Sequence, residues 1–245
     1  MNSLTRFVAL AGLLLAPSHP LAEAIDQPVA PFQARYDLYG MGLPLGEALM
    51  VLDYPGPDRY TMHFDVRPNP LVALLASHQV QEKARGEIRN GKVLPAQYVQ
   101  QADTGGKTRN VLLRFDQPAQ RIEAHNNAEQ AVLPLSPGIM DPLSLHLAVM
   151  WDLKRDRLPE QYTLIDGTEL RTYQIHNEGH ETLNTALGSL PTVRISQAQP
   201  SGSRITTFWF ATELQYLPVR ITRQKKGRED LRLEIHSVER QSATP

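Results

Sequence analysis

The sequence contains one spacing that is typical of metal ligands, the pair His176 and His180. Two imidazoles four residues apart lie on one face of a helix and can bind the same zinc ion. Here Asn177, Glu178 and Gly179 separate them, and this polar, glycine-containing segment favours the tip of a β-hairpin. Side chains at a hairpin tip point into water, so we expect an ordinary turn and no metal site.

A second group, Asp141, Ser144 and His146, has the residue types of an acid, a nucleophile and a base. Nucleophilic catalysis requires the hydroxyl within hydrogen-bond distance of the imidazole. On a helix, residues two apart project about 200° from each other. The GxSxG motif of strand–turn–helix nucleophiles is also missing. We therefore expect Asp141 to cap a helix and Ser144 to lie in its first turn.

Acidic residues could in principle supply the carboxylate pair of a glycosidase or a peptidase. The candidates are Asp116, Asp141, Asp166 and Glu181. The two carboxyl groups of such a pair must lie about 5–9 Å apart, a distance that sequence spacing does not establish. Asp166 is followed by glycine, which is typical of a turn. Hydrolysis is therefore the least favoured interpretation.

Basic residues cluster along a predicted strand and the turn that follows it. They are Arg220, Arg223, Lys225, Lys226 and Arg228. Such a cluster attracts anionic lipid headgroups or an acidic partner. It can equally be a solvated sheet edge that charge protects from pairing with another chain. The neighbouring Glu229 and Asp230 favour the second interpretation.

Aromatic and methionine side chains recur at strand spacing, and they admit two interpretations. They are Tyr36, Met50, Tyr54, Tyr60, Met62, Phe64, Trp151, Phe208, Trp209 and Phe210. At this spacing such residues usually form a core, but barrels of this size also enclose ligands. If a cavity exists, we expect its wall to include Tyr36, Met62, Phe64, Trp151 and Trp209.

Composition excludes several classes of protein. The 245 residues carry a formal net charge of -1, so the attraction that dominates nucleic-acid binding is missing. The absence of cysteine excludes disulfides, thiolate catalysis and cysteine-ligated zinc. Hydrophobic residues at 41% and charged residues at 21% are typical of a folded domain. We expect neither a cofactor nor a nucleic-acid partner, and the sequence has no Walker or GxGxxG motif.

The N-terminus has the pattern of a secretory signal. Arg6 precedes an apolar run over residues 7–16, which is too short to span a bilayer as a helix. Ala22-Glu23-Ala24 is the small-x-small pattern that signal peptidase accepts. We expect cleavage after residue 24 and export to the periplasm. Without cysteine the chain cannot be a lipoprotein, and no later apolar run suggests a transmembrane segment.

The remaining chain, residues 25–245, shows alternation of apolar and polar residues with a period of two. In the first run, Phe32, Ala34, Tyr36 and Leu38 share one face. Gly- and Asn-containing turns separate such runs at intervals of about 8–10 residues. The pattern predicts a single, mainly β domain of about a dozen strands. We expect a strongly curved antiparallel meander or a partly open barrel.

Two segments break this alternation with helical signals. Asp141-Pro142 has the entry chemistry of a helix, and apolar residues follow at helical spacing to about residue 155. Asn69-Pro70 begins a shorter predicted helix. We expect the longer helix to plug or cover the curved sheet. Residues 117–140 are polar and contain prolines, which predicts a loop.

Short motifs along the chain resemble the exported bacterial family known as domain of unknown function 3108. They are Phe32-x-Ala-x-Tyr36, Gly46-Glu47-Ala48, residues 86–98, Phe115-Asp116, residues 141–144, Asp166-Gly167 and residues 207–220. The resemblance implies a periplasmic, mostly antiparallel β protein and supplies no catalytic residues. The segment from Trp209 to Leu217-Pro218 is similar to part of the periplasmic lipoprotein carriers, an architectural likeness that implies an unclosed barrel.

We therefore expect an exported, non-catalytic protein that binds a lipid or another apolar envelope component in the concave face of its sheet. The alternative is a structural or interaction module that binds a protein partner of the cell envelope.

Overall fold

The computed structural model describes residues 28–75, 78–198 and 204–240. The predicted signal segment, residues 1–24, lies outside these ranges. Within them, fifteen strands form one sheet. The strands are β1 Phe32–Gly40, β2 Leu43–Gly56, β3 Arg59–Pro68, β4 His78–Arg89, β5 Lys92–Thr104, β6 Lys107–Asp116, β7 Arg121–Asn126, β8 Glu129–Pro134, β9 Ile139–Met140, β10 Gln161–Asp166, β11 Glu169–Thr185, β12 Gly188–Ala198, β13 Arg204–Ala211, β14 Leu217–Lys225 and β15 Arg228–Arg240.

Two helices accompany the sheet in the described chain, α1 over Pro70–Leu75 and α2 over Ser144–Lys154. A 3₁₀ turn at Thr212–Leu214 joins β13 to β14. Both α-helices begin where the Asn-Pro and Asp-Pro signals predicted. In the described residues no helix has the length and apolar character that crossing a membrane requires.

The sheet is an antiparallel meander with one exception. Strands β1 to β8 pair in sequence order, β10 to β15 do the same, and β1 pairs with β15. Only β9 is parallel to its neighbour, β10. This order leaves β8 and β9 at the two edges, and the short connection between them leads into α2.

The sheet curves until its two edge regions meet through side chains. Arg109 of β6 donates a hydrogen bond to Asp166 at the end of β10, with an N–O distance of 2.5 Å. Beside it, the Thr168 hydroxyl lies 3.4 Å from the Glu129 carboxylate of β8. Because the backbones of β8 and β9 are not paired, the result is a partly open barrel.

Helix α2 lies inside this barrel, because its side chains contact opposite parts of the sheet. Ser144 contacts β3, His146 contacts β13 and Asp152 contacts β10. Most of the helix is therefore buried. The buried residues are Ser144, Leu145, Leu147, Ala148, Val149, Met150, Trp151 and Leu153. The core is continuous around the helix, and on each strand alternate residues supply it.

The predicted mainly β fold, curved antiparallel and wrapped around one main helix, is confirmed. The strand number was underestimated, because residues 117–140 contain β7, β8 and β9 instead of a single loop. This part of the sheet is near an edge, so only a few inward positions, such as Ile122 and Ala124, need apolar side chains. The hydrophobic alternation there is correspondingly short.

The predicted hairpin tip at residues 176–180 is also wrong. These residues lie within the long strand β11, where the pairing with β12 shifts register between Asn177 and His180. Gly179 has a φ of 95°, and its N–H donates to the Asn177 side chain. The glycine therefore marks a β-bulge, which needs the same backbone freedom as a turn.

Candidate functional site

The local sequence at residues 141–144 fixes the start of α2. The Asp141 carboxylate accepts hydrogen bonds from the N–H groups of Leu143 and Ser144, at 2.9 and 2.8 Å. Its second oxygen accepts from the Ser144 hydroxyl at 2.5 Å. Asp141 thus satisfies N–H groups that have no intrahelical partner, as predicted for a capping residue.

The capped turn is tied to the sheet through one buried tyrosine. The Tyr60 hydroxyl of β3 donates to the Ser144 hydroxyl at 2.7 Å, and neither residue is exposed to solvent. Gly86 of β4 makes room for this ring. A Cβ there would lie 2.6 Å from the Tyr60 hydroxyl and would also collide with the Leu94 carbonyl.

Burial changes the acid–base properties of this polar flank of α2. Because Asp141 is fully buried, desolvation raises the pKa of its carboxyl to about 6, although its hydrogen bonds oppose the shift. Burial also raises the pKa of Glu82 on β4, which accepts a 2.9 Å hydrogen bond from Gln100. The buried Tyr98 hydroxyl lies close enough to this carboxyl to act against that pKa shift, although no hydrogen bond of ordinary geometry joins the two in the described residues.

The opposite flank of α2 faces β12 and β13 across an apolar groove. Its volume is about 190 Å³. The residues that line the groove are Pro142, Leu145, His146, Val149, Leu164, Ile175, Ile195, Gln197, Thr206, Phe208 and Phe210. Gln197 and Thr206 pair near the end of β12 and the start of β13, and both are partly exposed. The groove is therefore open to solvent at this end of the barrel.

Among the described residues that line the groove, His146 is the only one with a titratable side chain. Its ring meets Phe208 edge to face with a centroid distance of 5.8 Å, and Phe208 stacks on Phe210 at the same distance. Desolvation by burial lowers the pKa of His146 to about 4. The imidazole is therefore neutral at neutral pH, which keeps the groove free of charge.

The acid, nucleophile and base types of the 141–146 segment do not assemble into a catalytic arrangement. The Ser144 hydroxyl is hydrogen-bonded to Asp141 and Tyr60, whereas the His146 ring packs on Phe208 at the other flank. This separation follows from the angle of about 200° between residues two apart on a helix.

The other candidate carboxylates lie apart from one another. Asp116 pairs with Arg121, and Asp166 pairs with Arg109. Glu181 is on the outer face of the sheet, where it accepts a hydrogen bond from Trp209. The carboxylate whose charge reaches Asp141 is instead Glu82.

The five residues predicted to share a cavity wall occupy different environments. Tyr36 and Met62 are fully buried core residues, and the Tyr36 hydroxyl donates to the Pro218 carbonyl at 2.8 Å. Phe64 is partly buried and packs against the core. Trp151 lines a separate cavity of about 670 Å³, between the β4–β5 turn and β9–β10.

Trp209 requires a correction, because its side chain lies on the outer face. Its indole N–H donates to Glu181 at 2.7 Å, and the Arg220 guanidinium lies over its ring. The neighbours Phe208 and Phe210 take the inward positions, since successive residues of a strand face opposite sides. The alternation along a strand shows that neighbouring residues lie on opposite faces of the sheet, but not which face points inward.

Sequence reasoning did not single out His146, Gln197 and Thr206 as lining residues, or Glu82 as a partly buried acid. One signal was available for Glu82, which shares a face of β4 with Val80 and Ala84. A charged residue in an inward row indicates a polar interior. His146 could have been recognised from its place among the apolar residues of α2.

No curated protein matches the chain. Among solved structures, a β-barrel-like protein of domain of unknown function DUF1849 from Brucella abortus is similar in fold. The TM-score is 0.57 at 12% identity, covering 88% of this chain and 99% of the other.

Two further structures have TM-scores below 0.5. A protein from Bacteroides fragilis, described as exported and YmcC-like in fold, has a TM-score of 0.33 at 11% identity. The match covers 85% of this chain and 95% of the other. A protein from Parabacteroides distasonis, described as a lipoprotein, has a TM-score of 0.34 at 8% identity. The match covers 87% of this chain and 96% of the other.

A family model covers most of the chain, including the strands on both sides of α2 and the helix itself. It matches residues 34–232. The chain therefore belongs to the family described as protein of unknown function (DUF3108).

Proposed function

We propose that the protein binds the hydrocarbon part of an amphipathic molecule in the groove between α2 and β12–β13. The observation that carries this proposal is an apolar, solvent-accessible groove between the helix and the sheet of the barrel. Its walls include Val149 from the helix and Phe208 from the sheet. Covering these surfaces with an apolar chain removes them from water, which provides the driving force.

The size of the groove limits what it holds. Pockets for drug-sized ligands have volumes of about 300–1,000 Å³, whereas this groove measures about 190 Å³. It therefore accommodates a segment of an alkyl chain, and the rest of the ligand extends past Gln197 and Thr206. Each buried methylene contributes about 0.8 kcal/mol, so about six would contribute roughly 5 kcal/mol before the costs of association.

Binding without chemical conversion fits the groove better than catalysis does. Among the described residues that line it, His146 is the one titratable side chain, and its ring packs against Phe208.

Export is part of the proposal. The composition of residues 1–24 supports a cleaved signal, and the chain has no cysteine to carry a lipid. We expect the mature protein in the periplasmic fraction to begin at Ile25, which mass spectrometry of the isolated protein measures. A chain that retains residues 1–24 would contradict export by this route.

Two neighbouring threonines of β13 test the groove. Thr206 lines it, whereas Thr207 is on the opposite face. Calorimetric titration with 1-decanol should show one saturable site. We expect Thr206→Trp to weaken binding at least about tenfold, equivalent to about 1.4 kcal/mol, and Thr207→Trp to change it less than about twofold.

The proposal fails if 1-decanol does not bind the unaltered protein. It also fails if both tryptophan variants weaken binding equally while retaining cooperative thermal unfolding.

A second candidate function is that of an interaction module. It is favoured by the unpaired edge of the sheet at β8, where Val132 is 69% exposed. A free strand edge can accept an extended segment of a partner protein. A charged substitution, Val132→Lys, should then weaken capture of an extended partner segment and leave the affinity for 1-decanol unchanged.

A further inference from the structure

Three basic residues form a row across neighbouring strands at the open end of the groove. In the strand register, Arg204 of β13 is directly opposite Lys225 of β14, and Lys225 is directly opposite Arg228 of β15. Residues paired in this way have their side chains on the same face of the sheet. All three are exposed.

This row is unfavourable for folding alone, because like charges directly opposite each other destabilise a sheet. Among the residues that the structure describes, no carboxylate lies within salt-bridge distance of Arg204, Lys225 or Arg228. Residues 199–203, outside the described ranges, contain no acidic residue. The row therefore keeps its positive charge.

The two acidic residues that follow Arg228 are already paired with other cations, Glu229 with Arg232 and Asp230 with Arg223. Asp230 accepts hydrogen bonds from Arg223 at 3.0 and 2.9 Å. Although partial burial acts to raise the pKa of Asp230, Arg223 and, more weakly, Arg204 hold it below its ordinary value. The carboxylate thus pairs with Arg223, and its weaker attraction to Arg204 does not neutralise the three charges of the row.

The row is continuous with the groove. Arg204 precedes Thr206 by two residues on β13, so both side chains are on the face that also carries Phe208. At about 3.3 Å per residue, Arg204 lies roughly 7 Å further along the strand than Thr206. An alkyl chain that enters between α2 and β13 therefore has its polar end beside these cations.

We propose that the row of Arg204, Lys225 and Arg228 binds the anionic headgroup of the amphiphile whose hydrocarbon chain occupies the groove. This inference rests on the proposed function and adds the chemical class of the ligand, a single-chain amphiphile with a phosphate or carboxylate head. Guanidinium and ammonium groups both suit such anions. The groove itself stays uncharged, so chain and head are recognised separately.

Probes with the same ten-carbon chain and different headgroups test whether the chain and the headgroup are recognised separately. They are decyl phosphate and decyltrimethylammonium, each titrated below its micelle concentration, and 1-decanol, titrated below its solubility limit. Because the three cations attract its head, decyl phosphate should bind at least about tenfold more tightly than 1-decanol at low ionic strength. Decyltrimethylammonium should bind more weakly than 1-decanol, and added salt should reduce these differences.

Charge-neutralising variants locate the headgroup. R204Q/K225Q/R228Q should remove the preference for decyl phosphate and leave the affinity for 1-decanol within about twofold, since the groove is unaltered. The matched control is R35Q/K83Q/R85Q, which removes three exposed positive charges on the outer face of β1 and β4. It should retain the preference.

The outcomes separate this inference from the proposed function. If 1-decanol binds and decyl phosphate binds no more tightly, the groove stands and the headgroup site is wrong. An equal loss of the preference for decyl phosphate in the triple variant and its control would also overturn the inference. The net charge of the protein alone would then explain the preference. If inorganic phosphate competes with decyl phosphate but not with 1-decanol, the row recognises the anion itself. If phosphate competes with neither probe, the attached chain is required for binding.

Discussion

The two flanks of α2 differ in the kind of interaction that holds them against the sheet. Toward β3, the capped turn is held by directional hydrogen bonds from Tyr60 through Ser144 to Asp141. Toward β13, His146, Leu145 and neighbouring residues face a groove in which contact is apolar and incomplete. One flank is thus held in place by directional hydrogen bonds, and the other leaves an open groove between the helix and the sheet.

This difference explains how a barrel that contains a buried helix can also have a binding surface. Hydrogen bonds to Ser144 and Asp141 fix the position of the helix, so the groove remains when no ligand fills it. Apolar contacts lack direction, and a ligand chain can replace water along them without breaking a specific protein contact. The polar flank therefore positions α2, and the apolar flank is free to bind.

The largest expected effect comes from two leucines of the same helix. Leu147 is fully buried, whereas Leu145 borders the groove. Leu147→Ala should cost about 4 kcal/mol of unfolding free energy, because it leaves a closed cavity. Leu145→Ala should cost about 2 kcal/mol, since the lost volume joins a space that is already open. Urea unfolding at pH 7 measures both values, and equal costs would contradict the difference between the flanks.

The second prediction concerns pH, because folding shifts the pKa of a residue on each flank in opposite directions. The pKa of Asp141 rises from 3.8 to about 6 on folding, so its contribution to stability is present below pH 4 and is lost as pH rises to 6. The pKa of His146 falls from 6.5 to about 4, so its contribution is present above pH 6.5 and is lost as pH falls to 4. Each contribution is about 3 kcal/mol, and the two oppose each other.

Single substitutions should expose each slope. In His146→Gln, unfolding free energy should fall as pH rises from 4 to 6.5. Glu82, whose pKa burial also raises, acts in the same direction. In Asp141→Asn, unfolding free energy should fall less over the same range or rise, because His146 then opposes Glu82 alone on the polar flank. Chemical denaturation at several pH values measures these slopes, and a slope in Asp141→Asn as negative as that in His146→Gln would refute the assignment.

The smallest expected effect compares two buried tyrosines of the polar flank. The Tyr60 hydroxyl donates to Ser144, whereas the Tyr98 hydroxyl approaches Glu82 without a hydrogen bond of ordinary geometry in the described part of the chain. Tyr60→Phe should cost about 1–2 kcal/mol of unfolding free energy, because Ser144 loses its donor. Tyr98→Phe should cost less than about 0.5 kcal/mol. A larger loss at Tyr98 would show that its hydroxyl has a partner in solution.

Local patterns were sufficient for most of the fold. Period-two alternation predicted the antiparallel strands, and Asp141-Pro142 predicted the start of α2, because both signals act between residues close in sequence. The edge strands β7 and β8 were missed because so few of their positions face the core. At residues 176–180, turn and bulge were confused because both place glycine at a positive φ.

The candidate site was much less predictable. Trp209 was expected on the cavity wall, but the strand presents Phe208 inward instead. Register and curvature decide such a choice, and a shift of one residue reverses every side chain of a strand. The groove also depends on His146 meeting Phe208, residues 62 positions apart in the chain.

The sequence by itself determined a mainly β domain with one capped, largely apolar helix, since alternation and capping are local properties. Only the tertiary structure decided that this helix lies inside the barrel, with hydrogen bonds on one flank and a groove on the other. It also placed Arg204, Lys225 and Arg228 in one row beside that groove. The physical reason is that the path of the sheet through space brings distant residues together, and no local pattern encodes that path.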